Sequence, residues 1–403
     1  MDKNATEKLA APVSGTVFDY LRWRGDLTFQ RDAFNEVDNL VLCIISYINF
    51  RRIAAAHTKD PASAPTLAEI CPLLTEEDDQ LGLSELSYLP LVQLAAQTER
   101  FRDVRLYGFT HEYDPANAKQ FDALSFLVPD GTLFVAYMGT DTSLAGWKED
   151  FNMSFSDEVP SQRAALAYVS DAVQALGMPV VLSGHSKGGN LAAYAGIFAE
   201  DAVQRRIECV YNFDGPGFNE RITALPAFRQ IDMRIHTFVP QSSMIGIIMW
   251  HAEPFTVVKS DANGVLQHNP YSWQVMAGRL VTLPERTSES RLAEETIKHW
   301  LAELTPDARR QFIDGIYAVL SVSEGRNVVD LFEAKNVRAI LRAAGSMDEP
   351  TREAIAEAFR LLGNSLKETI PEWIDRAADD LRARIAPKGE ERGDGDGQEK
   401  EAQ

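Results

Sequence analysis

The chain has 403 residues, of which 45% are hydrophobic and 25% are charged, which suits about two to three globular domains or one large α/β unit with helical additions. Its 59 Asp and Glu residues outnumber its 40 Lys and Arg residues and give a formal net charge of -19 at pH 7. A surface of this sign repels nucleic-acid backbones and anionic lipid headgroups, so we expect no nucleic-acid partner.

The cysteine pattern and the N-terminus bear on the compartment. Cys43, Cys71 and Cys209 are odd in number and lack the CxxC spacing of zinc sites and redox disulfides, which favours a reducing environment. Residues 1–8 are polar, and no apolar stretch typical of a signal peptide follows them. Apolar runs such as residues 40–45 are far shorter than the roughly 20 residues of a membrane helix. We therefore expect a cytoplasmic protein without a transmembrane segment.

The N-terminal quarter predicts helices that pack on a larger core. Residues 1–12 carry no apolar periodicity and are expected to be a flexible lead-in, whereas residues 13–100 are expected to form a helical segment. After Asn35, a residue type that caps helices, apolar residues recur at intervals of three and four. They are Val37, Leu40, Val41, Ile44, Ile45 and Ile48. This spacing predicts an amphipathic helix with one buried face.

Strands begin at about residue 104, and residues 101–287 are expected to form an α/β core. Residues 121–128 and 133–138 flank the turn dipeptide Asp130-Gly131, which predicts a β-hairpin. The next segments alternate in type, with helices at 161–176 and 191–199 and strands at 179–183, 207–213 and 234–239. This order predicts a parallel sheet with helices on both faces. Residues 256–266, with Asn263-Gly264 near their middle, predict one more hairpin.

Strands disappear from the sequence pattern after about residue 288. Residues 288–386 are expected to form a C-terminal helical region, in which Thr305-Pro306 is typical of a helix start. Residues 387–403 have almost no apolar content, so we expect them to form a disordered acidic tail.

The most specific chemical signal is the segment Gly184-His185-Ser186-Lys187-Gly188, which satisfies the G-x-S-x-G pattern. It lies between an apolar strand and an Ala-rich helix, the context of a nucleophile elbow. A side chain at Gly184 or Gly188 would collide with the neighbouring strand and helix, and the turn would present Ser186 as a nucleophile. The backbone N–H of Lys187 would then face a developing oxyanion. The alternative is a glycine-rich connection without catalytic meaning.

A second oxyanion donor is expected from an earlier strand end. Thr140, in Tyr137-Met138-Gly139-Thr140-Asp141, follows an apolar strand. The backbone turn that Gly139 permits would let the N–H and the hydroxyl of Thr140 both face the charge. The alternative is a loop in which Thr140 or Asp141 caps a helix.

The general base is expected to be one of the seven histidines, late in the chain. His268 is favoured because it lies in a loop after the last predicted strands. His251 is a lesser candidate, and His236, inside an alternating strand, is interpreted as a buried structural residue.

The acid that orients the histidine is expected at a strand end between the elbow and His268. Asp214 ends the first strand after the elbow and is the main candidate, although it could instead cap the Gly215-Pro216-Gly217 turn. Glu253, Asp261 and the neutral Gln241 remain alternatives.

Other motifs point to no further chemistry. Trp147, Asp150 and Phe151 are interpreted as packing and loop-fixing residues. The sequence has no cluster of metal ligands, no P-loop and no dinucleotide-binding glycine motif, so we expect neither a metal nor a cofactor.

Together these residues resemble the class 3 lipase group of α/β-hydrolases. The similarity lies in the aromatic-x-Gly-Thr-Asp segment, the Gly-His-Ser-Lys-Gly-Gly elbow, the strand that ends in Gly-Pro-Gly, and the late histidine. More closely, the chain resembles the Mbeg-like bacterial family of lipase-like proteins over about residues 15–275. The segments that carry this closer resemblance are 18–26 (FDYLRWRGD), 34–40 (FNEVDNL), 239–243 (VPQSS) and 268–273 (HNPYSW).

The resemblance implies an α/β-hydrolase fold with a mostly parallel sheet and helices on both faces. The apolar patterns add N-terminal helices and a C-terminal helical addition. One departure concerns the acid. Class 3 lipases carry the triad aspartate before a Val-Pro pair, whereas here Thr237-Phe238 precede Val239-Pro240 and Gln241 follows. Some other α/β-hydrolases take the acid from the preceding strand, where Asp214 stands.

The sequence thus predicts a serine hydrolase that cleaves a lipid or small acyl ester through an acyl-enzyme on Ser186. The alternatives are a catalytically weak or inactive scaffold that binds a partner or ligand, and an acyltransferase whose dry site admits an alcohol instead of water. The expected partner is an ester substrate, and acyl length and oligomeric state are not predicted.

Overall fold

The computed structural model describes residues 14–79, 87–141, 143–153, 156 and 158–303. The predicted lead-in, the predicted C-terminal helical region beyond residue 303 with its Thr305-Pro306 start, and the predicted acidic tail lie outside the described residues. No helix in the described part of the chain has the length and apolar character that a membrane crossing requires.

The N-terminal segment is helical. Its α-helices are α1 (Val17–Arg24), α2 (Glu36–Ile45), α3 (Leu67–Ile70) and α4 (Leu89–Ala96), with short 3-10 turns between α2 and α4. The predicted amphipathic helix is confirmed as α2, because the side chain of Asn35 accepts the N–H groups of Val37 and Asp38 at its start. Every residue of α2 from Val37 to Ile45 is buried, which extends the predicted apolar stripe to the whole surface of the helix.

The centre of the molecule is an eight-stranded sheet. Its strands are β1 (Arg105–Asp114), β2 (Lys119–Leu127), β3 (Leu133–Tyr137), β4 (Val180–His185), β5 (Ile207–Phe213), β6 (Ile235–Pro240), β7 (Phe255–Val258) and β10 (Thr282–Leu283), in that spatial order. The strands from β3 to β7 are parallel, and the predicted hairpin is confirmed as the antiparallel pair β2 and β3. Strands β8 (Val275–Met276) and β9 (Arg279–Leu280) form a separate small ribbon.

Helices connect the parallel strands and cover the sheet. They are α5 (Leu144–Met153), α6 (Pro160–Leu176), α7 (Lys187–Phe198), α8 (Asp201–Gln204), α9 (Glu220–Thr223) and α10 (Pro226–Ile231), and α11 (Ser288–Glu303) follows the last strand. One apolar core lies between the sheet and α1, α2 and α4, and a second lies between the sheet and α6, α7 and α10. A mostly parallel sheet covered by helices on both faces, with a strand-turn-helix at the centre, is the α/β-hydrolase fold.

The hairpin predicted over residues 256–266 is wrong. Strand β7 pairs with β6 in parallel and with the distant β10 in antiparallel fashion, while residues 264–268 form a 3-10 helix. Asn263 has an extended backbone, so Asn263-Gly264 does not form the two-residue turn of a hairpin. The indole of the fully buried Trp273 donates to the carbonyl of Gln267 at 2.7 Å and holds the loop in place.

The interpretation of His236 as a buried residue is also wrong. His236 is exposed, and its ring lies 5.2 Å from the ring of Tyr211 on β5. Segment 235–240 is a strand, β6, but its burial does not alternate: of its six residues only His236, near the start of the strand, is exposed.

A buried ion pair joins the N-terminal helices. The guanidinium of Arg100 donates to Asp38 at 2.6 Å and to the carbonyls of Leu27, Asp32 and Ala33 at 3.0–3.1 Å. Both side chains of the ion pair are fully buried. Because the ion pair is buried, water cannot replace a hydrogen-bond partner that either side chain loses.

We expect Arg100→Met to lower the free energy of unfolding by about 3–5 kcal/mol, since it leaves the Asp38 carboxylate buried without its cation. Denaturant unfolding followed by circular dichroism measures the loss. Arg22→Met, which breaks the exposed pair with Asp19, is the control and should cost far less. An equal loss in the two variants would contradict the importance of burial at Arg100.

Candidate active site

The G-x-S-x-G segment forms a sharp turn between β4 and α7. Ser186 has φ 59° and ψ -134°, a backbone conformation that non-glycine residues rarely adopt. A Cβ atom on Gly184 would lie 2.0 Å from the backbone of Gly188, and one on Gly188 would lie 2.0 Å from the carbonyl oxygen of Tyr137. Glycine at these two positions therefore allows β3, β4 and α7 to meet at Ser186.

Two other strand ends lie against Ser186. A Cβ on Gly139, just after β3, would be 3.1 Å from the Cβ of Ser186, and one on Gly215, just after β5, would be 2.5 Å from the Ser186 carbonyl oxygen. The N–H of Ser186 donates to the carbonyl of Phe213 at 3.0 Å. The segments that carry Thr140 and Asp214 thus start beside the serine.

Asp214 and His268 contact each other directly. Oδ2 of Asp214 lies 2.7 Å from Nδ1 of His268, and Oδ1 accepts from Ser243 Oγ at 2.5 Å and from the Gly246 N–H at 3.1 Å. The carboxylate is fully buried. Its hydrogen bonds hold it in one orientation, with one oxygen directed at the imidazole.

The other candidate acids bind elsewhere. Oε1 of Glu253 lies 2.8 Å from His251 Nδ1 and accepts from Thr237 Oγ1 at 2.6 Å. Asp261 accepts from the side chain of Gln274. The side-chain amide of Gln241 pairs with the backbone of Ser260 at 2.8 and 2.9 Å, which ties the end of β6 to the residues after β7.

His268 lies next to the elbow. Its carbonyl oxygen is 2.7 Å from Nε2 of His185, the residue before Ser186, and the two imidazole rings are 4.4 Å apart. Within the part of the chain that the structure describes, Ser186 and His268 form no hydrogen bond with each other. Hydrogen bonds of this kind are often long in an unliganded site and shorten when a substrate binds.

The hydroxyl of Thr140 differs from the sequence-based expectation. Thr140 is buried, and its Oγ1 donates to Oδ2 of Asp150 instead of remaining available to a substrate. A buried carboxylate is a stronger acceptor than a neutral carbonyl, so it engages the hydroxyl hydrogen. The backbone N–H of Thr140 is then the candidate oxyanion donor from this segment. Asp150 fixes this loop, in keeping with its interpretation from sequence.

Lys187 contributes more than its backbone. It is the first residue of α7, where N–H groups have no partner inside the helix. Its buried ammonium donates to the carbonyl and side-chain oxygens of Gln120, both at 2.7 Å, and to Glu149 at 3.2 Å. Glu149 also accepts from the N–H and the hydroxyl of Ser161 at 2.7 and 2.6 Å. Lys187 therefore connects the elbow helix to β2, α5 and α6.

Asp150 is a titratable group at this site. Burial raises its pKa from the ordinary 3.8 to about 6, although the nearby Lys187 ammonium and the bond from Thr140 favour the charged form. Its Oδ1 is buried and has no hydrogen-bond partner in the described part of the chain. The folded protein therefore holds a proton on Asp150 more tightly than the unfolded chain does.

We expect the wild-type free energy of unfolding to fall as the pH rises from about 4 to about 6, because Asp150 loses its proton at a higher pH in the folded state. Asp150→Asn should lack this part of the pH dependence, so its stability relative to wild type should rise across that window. Urea unfolding between pH 4 and pH 8 measures both curves. Burying the neutral amide of the variant changes the free energy of unfolding by the same amount at every pH, so it shifts the variant curve without changing its shape. If the two curves of free energy against pH were parallel, the raised pKa of Asp150 would be contradicted.

The described residues contain no group of three or more His, Cys, Asp and Glu side chains arranged to hold a metal ion. Two residues beside the candidate site have no signal in the sequence patterns: Tyr47, whose hydroxyl lies 3.0 Å from His185 Nδ1, and Ser243, whose hydroxyl donates to Asp214. Ser243 lies in the segment 239–243 that carries the family resemblance, but no pattern assigned it a role. The folded chain brings Tyr47 to the elbow and Ser243 to Asp214.

The solved structures that are similar to this chain include two lipases. The crystal structure of M37 lipase is 14% identical, with a TM-score of 0.31, and the match covers 52% of this chain and 67% of the lipase. Rhizomucor miehei lipase in its propeptide complex is 13% identical, with a TM-score of 0.35, over 68% of this chain and 88% of the lipase. At these scores neither similarity carries an argument about function. No curated protein matches the chain by sequence.

A family comparison matches residues 95–318, more than half of the chain, to the Mbeg1-like family. The matched range includes the elbow, Thr140, Asp214 and His268, and it agrees with the resemblance found in the sequence. The chain therefore belongs to the Mbeg1-like family.

Proposed function

We propose that this α/β-hydrolase protein is a serine hydrolase that cleaves a carboxylic ester through an acyl-enzyme on Ser186. The observation that carries the proposal is the 2.7 Å contact between the buried Asp214 carboxylate and His268, next to a serine in the strained turn of an elbow. A serine hydroxyl is a weak nucleophile, and this arrangement supplies the base and the charge that activate it.

In the first half of the reaction, Ser186 Oγ attacks the ester carbonyl carbon while Nε2 of His268 takes the serine proton. The Asp214 carboxylate holds Nδ1 and stabilises the imidazolium that forms. The imidazolium then gives its proton to the leaving alkoxide, and the acyl group stays on Ser186.

The negative charge that develops on the carbonyl oxygen is stabilised by the backbone N–H groups of Thr140 and Lys187. Asp150 and the Lys187 ammonium hold the two segments that carry these groups. In the second half of the reaction His268 takes a proton from a water molecule, whose oxygen attacks the acyl carbon. The bond from that carbon to Ser186 Oγ breaks, the imidazolium returns the proton to Oγ, and the carboxylic acid leaves.

The ester class of the substrate, lipid or small acyl, is proposed from the resemblance of the elbow and of the Gly139-Thr140-Asp141 segment to class 3 lipases. A fluorophosphonate probe tests the nucleophile, and mass spectrometry of the labelled peptide should locate the adduct on Ser186. p-Nitrophenyl esters of increasing acyl length then test ester cleavage.

Two outcomes would point to the other functions. A folded protein that neither reacts with the probe nor cleaves any ester would be a non-catalytic scaffold. Formation of a new ester in preference to the free acid, when an alcohol is added to the p-nitrophenyl ester assay, would show an acyltransferase.

A further inference from the structure

The hydroxyl of Tyr47 lies between segments that are far apart in the chain. Tyr47 stands two residues after the end of α2 and is almost fully buried. Its Oη is 3.1 Å from the N–H nitrogen of Gly139, 3.0 Å from Nδ1 of His185 and 3.2 Å from the His185 carbonyl oxygen. On the other side of the same ring, Nε2 of His185 is 2.7 Å from the carbonyl oxygen of His268.

The ends of this chain of hydrogen bonds fix its direction. The carbonyl of His268 can only accept, so Nε2 of His185 must carry the hydrogen, and in a neutral imidazole Nδ1 is then an acceptor. The N–H of Gly139 can only donate, so Tyr47 Oη accepts from Gly139 and donates its own hydrogen to His185, where Nδ1 at 3.0 Å and the carbonyl oxygen at 3.2 Å both act as acceptors. All donors point the same way, from Gly139 through Tyr47 and His185 to His268, and such chains strengthen each member.

The environment of both side chains favours these protonation states. Burial raises the pKa of Tyr47 well above 10, and burial together with the neighbouring His268 lowers the pKa of His185 well below 6.5. Tyr47 therefore keeps its hydrogen and His185 stays neutral. A neutral His185, with its ring 4.4 Å from that of His268, does not repel a positive charge on His268.

Each backbone group in this chain belongs to or adjoins a residue of the proposed machinery. Gly139 precedes Thr140, His185 precedes Ser186, and His268 is the proposed base. We propose that Tyr47 and His185 are positioning residues. Through one directed series of hydrogen bonds they hold the Gly139-Thr140 segment, the elbow and the loop of His268 in fixed positions relative to one another. This inference rests on the proposed function, and it gives one residue of the N-terminal helical segment, Tyr47, a part in positioning the proposed catalytic groups.

The ring of Tyr47 is held independently of its hydroxyl. It stacks on the ring of Tyr88, with centroids 5.2 Å apart and planes inclined by 17°. A Cβ on Gly139 would lie 2.3 Å from Tyr47 Oη, so the backbone approaches the hydroxyl as closely as glycine allows. Tyr47→Phe should therefore remove the hydrogen bonds and leave the packing intact.

The test compares Tyr47→Phe with wild type in fluorophosphonate labelling and in ester turnover. We expect both rates to fall about 10- to 100-fold with KM little changed, because misplaced catalytic groups lower the rate of the chemical step. Tyr20→Phe is the matched control: Tyr20 is a buried tyrosine of the same segment whose hydroxyl has two partners, Asp38 and Asn35, at 2.8 Å. It should react at the wild-type rate, and thermal unfolding shows whether the two variants lose similar stability.

A rescue and a double-mutant cycle separate positioning from a general structural role. His185→Gln keeps an N–H donor for the His268 carbonyl, so it should retain more activity than His185→Leu. His185→Leu already interrupts the series of hydrogen bonds, so adding Tyr47→Phe to it should lower the rate by a smaller factor than Tyr47→Phe does in wild type. Adding Tyr20→Phe to His185→Leu should have no further effect on the rate.

Failure of this inference and failure of the proposed function give different results. If wild type reacts with the probe and folded Tyr47→Phe reacts equally fast, Tyr47 is not a positioning residue, although Ser186 remains the nucleophile. Equal activity of His185→Gln and His185→Leu would also overturn the inference. If wild type itself does not react, the proposed function fails and the inference fails with it.

Discussion

Ser186→Ala is expected to lower ester turnover by about 10⁴- to 10⁶-fold, because the substitution removes the atom that forms the acyl-enzyme. Its stability should change little, since a lost hydroxyl leaves no cavity and alanine meets the same positive φ as serine. Initial rates with a p-nitrophenyl ester and thermal unfolding measure the two quantities.

The control for Ser186→Ala is Ser170→Ala. Ser170 lies on α6, where its hydroxyl donates to the Leu166 carbonyl at 2.8 Å, and it has no contact with the proposed site. This variant should keep the wild-type rate. Near-full activity in Ser186→Ala would exclude the elbow serine as the nucleophile.

Asp214→Asn is expected to lower turnover by about 10²- to 10⁴-fold while the protein stays folded. Asparagine tolerates the positive φ of 50° at this position. Ser243 and Gly246 both donate to Oδ1, so the amide oxygen should take that side and the NH₂ group should face Nδ1 of His268. Nδ1 would then have to accept, the hydrogen would move to Nε2, and His268 could no longer take the proton of Ser186.

Gln241→Ala is the comparison for Asp214→Asn. Gln241 follows Val239-Pro240 at the end of β6, and its side-chain amide pairs with the backbone of Ser260, so its loss should lower the melting temperature more than the rate. Unchanged turnover in folded Asp214→Asn would remove Asp214 from the proposed triad. Glu253 or Asp261 would then need to reach a histidine beside Ser186.

Local patterns predicted much of this fold. The capped apolar stripe after Asn35, the Asp130-Gly131 hairpin and the strand-Gly-x-Ser-x-Gly-helix order each follow from residues close in sequence. The pairing of β7 with β10 could not be predicted in this way, because both strands are short and the loop between them is held by Trp273 rather than by a turn dipeptide.

The residues of the candidate site also fall into two groups, those that local sequence patterns identify and those that only the fold brings together. Ser186 and Asp214 stand out because each directly follows the end of a strand and has a side chain that suits one chemistry. His268 stands out as a late histidine, the residue type that this chemistry needs as its base. The partners of Tyr47 are Gly139 and His185, about 90 to 140 residues away, and the ammonium of Lys187 meets Gln120 and Glu149 across three elements. Polar contacts of this range have no periodicity in the sequence, so only the fold identifies them.

The burial of α2 has a consequence for how the protein folds during synthesis. Helix α2 packs on β3 and β4, and Asn39 accepts from Ser183 at 2.6 Å, yet β4 begins about 135 residues after α2 ends. At about 5–20 residues per second the ribosome needs on the order of ten seconds to supply that strand. Until β4 emerges, this buried helix lacks part of the sheet that covers it in the folded protein, so the nascent chain is prone to aggregation during the interval.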